Sequence, residues 1–96
     1  MLRLEWTSPA ADELDAAQTY YFDLNPRAAS LLASRIWDAA CRLLEHPEMG
    51  RPGLREGTRE WAVSRTPYVL VYRVQANALQ ILHVWHAAQD WTHHGT

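Results

Sequence analysis

The spacing of apolar residues along this chain changes twice, and each change predicts a switch between β-strand and α-helix. At the N-terminus, apolar side chains stand at every second position: Leu2, Leu4 and Trp6. A period of two residues is typical of a short β-strand with one buried face. We therefore predict a first strand that ends at Trp6.

Two amphipathic helices are expected next, because apolar residues then recur every three or four positions. A capping side chain followed by proline is a common helix start, so Ser8–Pro9 predicts a helix over residues 9–24 and Asn25–Pro26 predicts a second one. The second helix should stop before Pro47. With almost no residues between them, the two helices should form an antiparallel hairpin. Their predicted inward positions are Leu14, Ala17, Tyr21 and Leu24, then Ala29, Leu32, Ala33, Ile36, Trp37, Ala40, Leu43 and Leu44.

The second half of the chain changes to strand periodicity after one long loop. Residues 47–57 contain two prolines and three glycines, which is typical of a loop. Three β-rich runs follow at residues 59–65, 68–74 and 78–86. The order β-α-α-β-β-β predicts one α+β domain over residues 1–96, with two layers and a helical hairpin packed on a mostly antiparallel sheet.

Composition places the chain among ordinary globular proteins, with 48% hydrophobic and 21% charged residues. No apolar run approaches the roughly 20 residues that span a bilayer. Acidic residues stand where the apolar core of a signal peptide would lie. The single cysteine, Cys41, precludes an intrachain disulfide. We therefore expect a cytoplasmic protein that does not enter a membrane.

The charge is unevenly distributed between the two halves. Residues 1–48 carry four arginines against eight carboxylates, a charge of −4, whereas residues 49–96 carry five arginines against three carboxylates, a charge of +2. An acidic chain is steered poorly toward phosphate, so direct DNA binding is not expected. The cationic second half favours a partner protein with acidic residues.

Several segments resemble, in order and spacing, the ParE/RelE toxin superfamily, and ParE-type members most closely. The similarity covers nearly the whole chain and is carried by the strand ending at Trp6, His46–Gly53, Leu54–Ser64, Pro67–Val74 and Ile81–Trp91. The resemblance implies the toxin of a type II toxin–antitoxin pair. It also implies neutralisation by a cognate antitoxin whose C-terminal segment wraps around the toxin.

The family offers two activities that differ in class. ParE-type members inhibit DNA gyrase, whereas RelE-type members cleave mRNA in the ribosomal A site with basic residues and a late tyrosine or histidine. This chain has no lysine, its isoelectric point is near 6.2, and no tyrosine follows Tyr72. We therefore expect a ParE-like gyrase inhibitor, with a ribosome-dependent mRNA interferase as the alternative and a toxin fold without toxicity as a third possibility.

The candidate binding residues are Arg59, Arg65 and Arg73 on the strands and Trp91 after the last strand. If the chain is an interferase, the catalytic candidates are Arg59, Arg65 and His86. Arginine would bind the phosphate, and histidine would serve as general acid or base. His86 resembles the late histidine of the family.

Each of these candidates has a structural alternative. Strand arginines can be solvated or bind carboxylates, and His83 and His86 can be packing residues. Three positions apart on a strand, the two histidines face opposite sides unless a bulge intervenes. No cofactor and no metal site are expected, because His93–His94 lacks further ligands nearby. The remaining tryptophans fall on apolar faces and are expected in the core: Trp6, Trp37, Trp61 and Trp85.

Overall fold

A computed structural model describes residues 2–88, which form two helices on one face of a five-stranded sheet. The strand order is β1-β5-β4-β3-β2; β1 and β5 are parallel and the other neighbours are antiparallel. The predicted two-layer α+β fold is confirmed, while one domain over residues 1–96 stays a prediction. The element bounds are β1 Arg3–Trp6, α1 Ser8–Leu24, α2 Pro26–Glu45, β2 Arg51–Pro52, β3 Arg59–Ala62, β4 Tyr68–Gln75 and β5 Ala78–His86.

Side chains cap the N-termini of both helices. Thr7 caps α1, because its hydroxyl accepts a backbone N–H of the first turn at 3.3 Å, and the predicted cap Ser8 is already helical. Asn25 caps α2 as predicted, with its Oδ1 accepting from the N–H of Arg27 at 3.0 Å. Asn25 also donates its own N–H to the carbonyl of Tyr21 at 2.8 Å. One residue thus ends α1 and begins α2, which produces a tight hairpin.

The core lies between the hairpin and the sheet. Two residues predicted to face it are exposed instead: Leu24, at 68%, is the last residue of α1, and Trp37 is 54% exposed. Ile36 takes the inward position next to Trp37, whose ring lies flat against Trp6 at a centroid distance of 6.3 Å. The buried stripe of α2 is therefore narrower than predicted. The largest fully buried side chains are Ile36, Leu43, Leu70, Tyr72, Leu79 and Ile81.

A β-bulge in β5 decides which of its side chains face the core. The register between β4 and β5 shifts once, because Leu82 is an extra residue between Ile81 and His83. The hydroxyl of Thr7 lies 3.1 Å from the carbonyl oxygen of Ile81 and 3.0 Å from that of Leu82. Beyond the bulge, Val84 packs in the core and His83 points to the opposite face.

Two segments of the second half differ from the sequence expectation. The predicted loop contains a 3₁₀ turn at Pro47–Met49 and the two-residue strand β2, which pairs with β3. The run at 59–65 is a strand only as far as Ala62, because Arg65 has a φ of 62° in the turn that leads to β4. Among the described residues, no helix combines the length and the apolar character needed to cross a membrane.

Candidate functional site

The face of the sheet opposite the hairpin carries a groove of about 750 Å³, here called the sheet groove. The segment Leu54–Thr58 forms one bank, and side chains of β3, β4 and β5 form the floor and the other bank. Among them is Arg73, one of the predicted binding residues. The strand residues that line it include Glu60, Val71, Arg73, Val74, His83 and Trp85.

Glu13 of α1 holds the rings of His83 and Trp85 in place at the groove. β1 pairs with β5 only as far as Ile81, so the later β5 backbone has no strand neighbour on that side. There the carboxylate of Glu13 accepts hydrogen bonds from the N–H of Val84 at 3.0 Å and from Nε1 of Trp85 at 2.7 Å. It also lies 3.2 Å from Nδ1 of His83, whose ring stacks on Trp85 at 4.1 Å. One carboxylate thus orients both rings.

His86 lies on the other side of the sheet. Its ring meets Tyr68 edge-on at a centroid distance of 5.3 Å, and Tyr68 in turn contacts Tyr21 of α1 at 6.2 Å. Nδ1 of His86 accepts the backbone N–H of Ala88 at 3.1 Å. The expectation that the two histidines face opposite sides is confirmed. Of the two, it is His83 that lines the sheet groove.

Arg59 binds the chain segment before β2. Its Nη1 donates to the carbonyl oxygens of Gly50 at 2.7 Å and Glu48 at 3.3 Å. Tyr72, its neighbour across the sheet, donates its hydroxyl to the carbonyl of Pro47 at 2.6 Å and accepts the N–H of Gly50 at 2.9 Å. Burial raises the pKa of the Tyr72 hydroxyl. Arg59 therefore stabilises the segment at residues 48–50, independently of any contact with a partner.

Arg65 is exposed in the turn between β3 and β4 and does not line the sheet groove. Its carbonyl accepts a hydrogen bond from Nη1 of Arg35 of α2 at 3.2 Å. Trp91 lies outside the described residues, so its predicted role in binding stays a prediction. His93–His94 lies there too; within residues 2–88, no three His, Cys, Asp or Glu side chains are grouped to hold a metal ion.

Arg73 is exposed at the groove and heads a hydrogen-bonded row across three strands. Its Nε donates to Oε1 of Gln80 at 2.7 Å, and Nε2 of Gln80 donates to Oε1 of Glu5 at 2.9 Å. The hydrogen bond from Gln80, followed by that from Arg3, holds the pKa of the Glu5 carboxyl below its usual value. The side chain of Arg73 is thus held at the groove by hydrogen bonds that continue through Gln80 to Glu5.

Glu60 is a buried carboxylate that the sequence did not reveal. It lies in the β-rich run at residues 59–65, and it is only 6% exposed. Nε and Nη2 of Arg51 both lie 3.1 Å from its Oε1, because β2 sets Arg51 directly across from Glu60. A two-residue strand inside a loop rich in proline and glycine leaves no periodic pattern. The ion pair of Arg51 with Glu60 follows only from the register in which β2 pairs with β3.

Comparisons of the sequence place nearly the whole chain among bacterial toxins. The family described as the ParE toxin of type II toxin-antitoxin system, parDE, matches residues 4–91. Y4kP of Sinorhizobium fredii, named as a toxin, is 38% identical over 89 residues, which cover 93% of this chain and 92% of that protein. Toxin RelE2 of Caulobacter vibrioides is 36% identical over 89 residues, covering 93% of this chain and 99% of that protein.

Comparisons of the structure agree with those of the sequence. A chain from the chromosomal ParDE toxin–antitoxin system of P. aeruginosa is similar with a TM-score of 0.81 and 30% identity, covering 90% of this chain and 96% of that chain. A chain from the E. coli DinJ–YafQ complex has a TM-score of 0.56 and 15% identity, covering 92% and 96%, which shows a shared fold. The family match and its relatives extend over most of the sequence, and the fold is the same. The chain therefore belongs to the ParE toxin family of type II toxin–antitoxin systems.

Proposed function

We propose that this protein inhibits DNA gyrase in the cytoplasm and is neutralised by a cognate antitoxin. The observation that carries the proposal is the similarity to a ParDE chain, with a TM-score of 0.81 at 30% identity. The family match over residues 4–91 supports the same choice. Gyrase inhibition is what the resemblance to ParE-type members implies, and the antitoxin partner follows from the same family.

The arrangement of the candidate residues supports inhibition by contact. General acid–base catalysis needs a proton-transferring group within hydrogen-bond reach of the substrate, beside cations that bind the phosphate. The three residues expected of an interferase lie in separate places. Arg59 binds loop carbonyls, Arg65 lies in the turn between β3 and β4, and His86 packs beside Tyr68. Contact with a protein surface needs no such convergence.

A ribosome-dependent mRNA interferase is the second candidate, favoured by the 36% identity to Toxin RelE2 and by the position of His83. His83 and Arg73 line the same groove. In that mechanism His83 is the general acid or base and Arg73 binds the scissile phosphate. The acidic, lysine-free composition weighs against this candidate, because binding to RNA depends on cationic contacts with phosphate.

Expression in bacteria without the antitoxin separates the two candidates. Gyrase inhibition should induce a DNA-damage reporter before the incorporation of labelled amino acids falls. An interferase should stop incorporation first and leave cleaved mRNA. Co-expression of the cognate antitoxin should prevent either effect. A Gly50→Val variant, expected to misfold, controls for the burden of expression, and a rapid stop of translation with no DNA-damage signal would overturn the gyrase proposal.

A further inference from the structure

The outer edge of β1 has no neighbouring strand. In the part of the chain that the structure describes, β1 is the last strand of the sheet on its side and pairs with β5 alone. The N–H groups of Arg3 and Thr7 both donate toward β5, at 2.9 and 3.1 Å. Successive residues of a strand direct their backbone groups to alternate sides, so those of Leu4 and Trp6 point to the outer edge. These groups can bond to one more strand.

The residues of this edge are arranged symmetrically about Leu4. In the segment Leu2–Trp6, apolar residues alternate with one cation, Arg3, and one anion, Glu5. The three apolar side chains pack against the core on the hairpin side of the sheet. Arg3 and Glu5 lie on the opposite face, where Nη2 of Arg3 is 3.2 Å from Oε2 of Glu5. A strand with this pattern is complementary in charge to an antiparallel copy of itself.

The register centred on Leu4 satisfies both the backbone and the charges. A two-fold axis at Leu4 sets this residue opposite Leu4 of a second copy, and their outward N–H and C=O groups then bond to each other. The adjacent pairs have no backbone hydrogen bonds and bring side chains closest, and there Arg3 stands opposite Glu5 of the second copy. Moving the axis by one residue, to Arg3 or to Glu5, keeps the backbone bonds but sets two like charges opposite each other, which is destabilising.

An exposed tryptophan lies beside the same edge on the hairpin side. Trp37 of α2 is exposed, and its ring lies flat against that of Trp6. In the register centred on Leu4, Trp6 stands opposite Leu2 of the second copy. The contact between two copies would therefore bury apolar side chains on one face of the sheet and alternate charges on the other.

We propose that two copies of this chain pair through β1, antiparallel and in the register centred on Leu4, so that two five-stranded sheets become one sheet of ten strands. A second copy is the occupant that the edge specifies, because the cation and the anion that Glu5 and Arg3 need as partners are those that the edge itself carries. The contact is short, so its dissociation constant should be on the order of 1–100 μM. The inference goes beyond the proposed function and is independent of the cellular target.

Sedimentation velocity of the full-length chain over a range of concentrations tests the pairing. The mass should rise with concentration from 11.0 kDa toward twice that value. Arg3→Glu and Glu5→Arg should each weaken dimerisation by about tenfold or more, because the two-fold axis doubles every reversed charge contact. The matched controls at exposed positions of α2, Arg27→Glu and Glu45→Arg, should dimerise as the parent does. Circular dichroism shows that each variant is folded.

A mixture of the two edge variants separates strand pairing from a general loss of association. The acidic edge of Arg3→Glu is complementary to the basic edge of Glu5→Arg, so an equimolar mixture should form dimers at concentrations where each variant alone is monomeric. A parent chain that stays monomeric at every concentration overturns the proposal. So does a mixture that stays monomeric, or a dimer that both variants form as readily as the parent does.

Amide hydrogen exchange locates the contact independently of the variants. Exchange at Leu4 and Trp6 should slow as the protein concentration rises, because their outward N–H groups become bonded. Exchange at Arg3, whose N–H already bonds toward β5, should change little. Slowed exchange at Leu4 and Trp6 that requires added antitoxin, at every protein concentration, would assign this edge to the antitoxin and overturn the pairing of two copies.

Discussion

The carboxylate of Glu13 accepts a hydrogen bond from Nε1 of Trp85 at 2.7 Å and thereby joins α1 to the last strand. It also accepts the backbone N–H of Val84 at 3.0 Å. The cause is a difference in strand length: β1 has four residues and β5 has nine, so β1 leaves part of the β5 edge uncovered. Glu13 takes the place of the missing strand neighbour and at the same time fixes a ring of the sheet groove.

Replacing Glu13 by alanine should destabilise the fold by about 1–3 kcal/mol, because the donors of Val84 and Trp85 would lose their acceptor. Urea unfolding measures the free energy. Asp12→Ala is the matched control, since Asp12 is a neighbouring exposed carboxylate, and it should change stability by less than about 0.5 kcal/mol. Equal effects of the two substitutions would contradict the role assigned to Glu13.

Tyr72→Phe should also destabilise the protein, by about 1–3 kcal/mol, because it leaves the carbonyl of Pro47 and the N–H of Gly50 without their hydroxyl partner. The ring itself is fully buried and is retained in the variant. Tyr20→Phe, at a position 61% exposed, is the control and should be nearly neutral. A thermal or urea midpoint that moves equally in both variants would count against a stabilising role for the hydrogen bonds of Tyr72 to Pro47 and Gly50.

Any side chain at Gly50 should destabilise the fold, because Gly50 packs against the same Tyr72 hydroxyl that bonds to residues 47 and 50. A Cβ at this position would stand 2.5 Å from the hydroxyl oxygen of Tyr72 and 2.9 Å from the carbonyl oxygen of Glu60. We expect Gly50→Ala to cost about 1–3 kcal/mol through overpacking. In a Tyr72→Phe background the cost should be smaller but not zero, because the contacts with the ring carbon Cε1, at 2.8 Å, and with the carbonyl oxygen of Glu60 remain. A double-mutant cycle in urea measures this coupling, and strict additivity would argue against the contact.

Much of the fold could be predicted from the sequence because its signals are local. The Asn25–Pro26 pair marks the hairpin, and the period of two after residue 57 marks the strands, since both patterns arise between residues close in the chain. The bulge at Leu82 could not be predicted, because it depends on the register of two strands and on the distant hydroxyl of Thr7. Trp37 was misplaced because neighbouring apolar residues on one helix compete for the inward position.

The candidate site was less predictable than the fold, since residue type indicates what a side chain can bind but not what it binds. Arg59 has the chemistry of a partner-binding residue, yet it donates to carbonyls of its own chain. Glu13 looked like one of several acidic residues of α1, and only the short β1 explains its position. Arg73 was selected for its charge, and its role in binding stays a prediction; its place in the sheet groove, opposite Gln80, follows from strand pairing.

The pKa of Glu5 tests the polar row that leads to Arg73. Gln80 is the largest cause of its low value and Arg3 the second, so Gln80→Leu should raise the pKa of Glu5 more than Arg3→Gln does. Carbon-13 NMR titration of the carboxyl group measures both. Because the folded pKa is depressed, the stabilisation by Glu5 is present above the unfolded pKa and is lost as the pH falls through the folded value. A Glu5 titration that is the same in Gln80→Leu and in the parent would refute this row.

Substitution of the two histidines separates contact from catalysis. If the protein inhibits gyrase, folded His86→Ala and His83→Ala should both retain most toxicity, apart from effects on packing. If it is an interferase, loss of the general acid or base should lower the cleavage rate by about 10²–10⁴-fold. The position of His83 in the groove predicts that His83→Ala would then show the loss. Growth assays with matched expression levels measure toxicity. A loss of toxicity in a folded His86→Ala variant would contradict both inhibition by contact and the assignment of His83 as the catalytic histidine.

The most direct measurement is the supercoiling of relaxed plasmid DNA by purified gyrase in the presence of this protein. Inhibition of gyrase predicts that supercoiling falls as the protein is added, that the cognate antitoxin restores it, and that folded His86→Ala inhibits as the parent does. Programmed ribosomes incubated with the same preparation should keep their mRNA intact. Full gyrase activity at every protein concentration, together with cleavage of mRNA in the ribosomal A site, would contradict the proposed function.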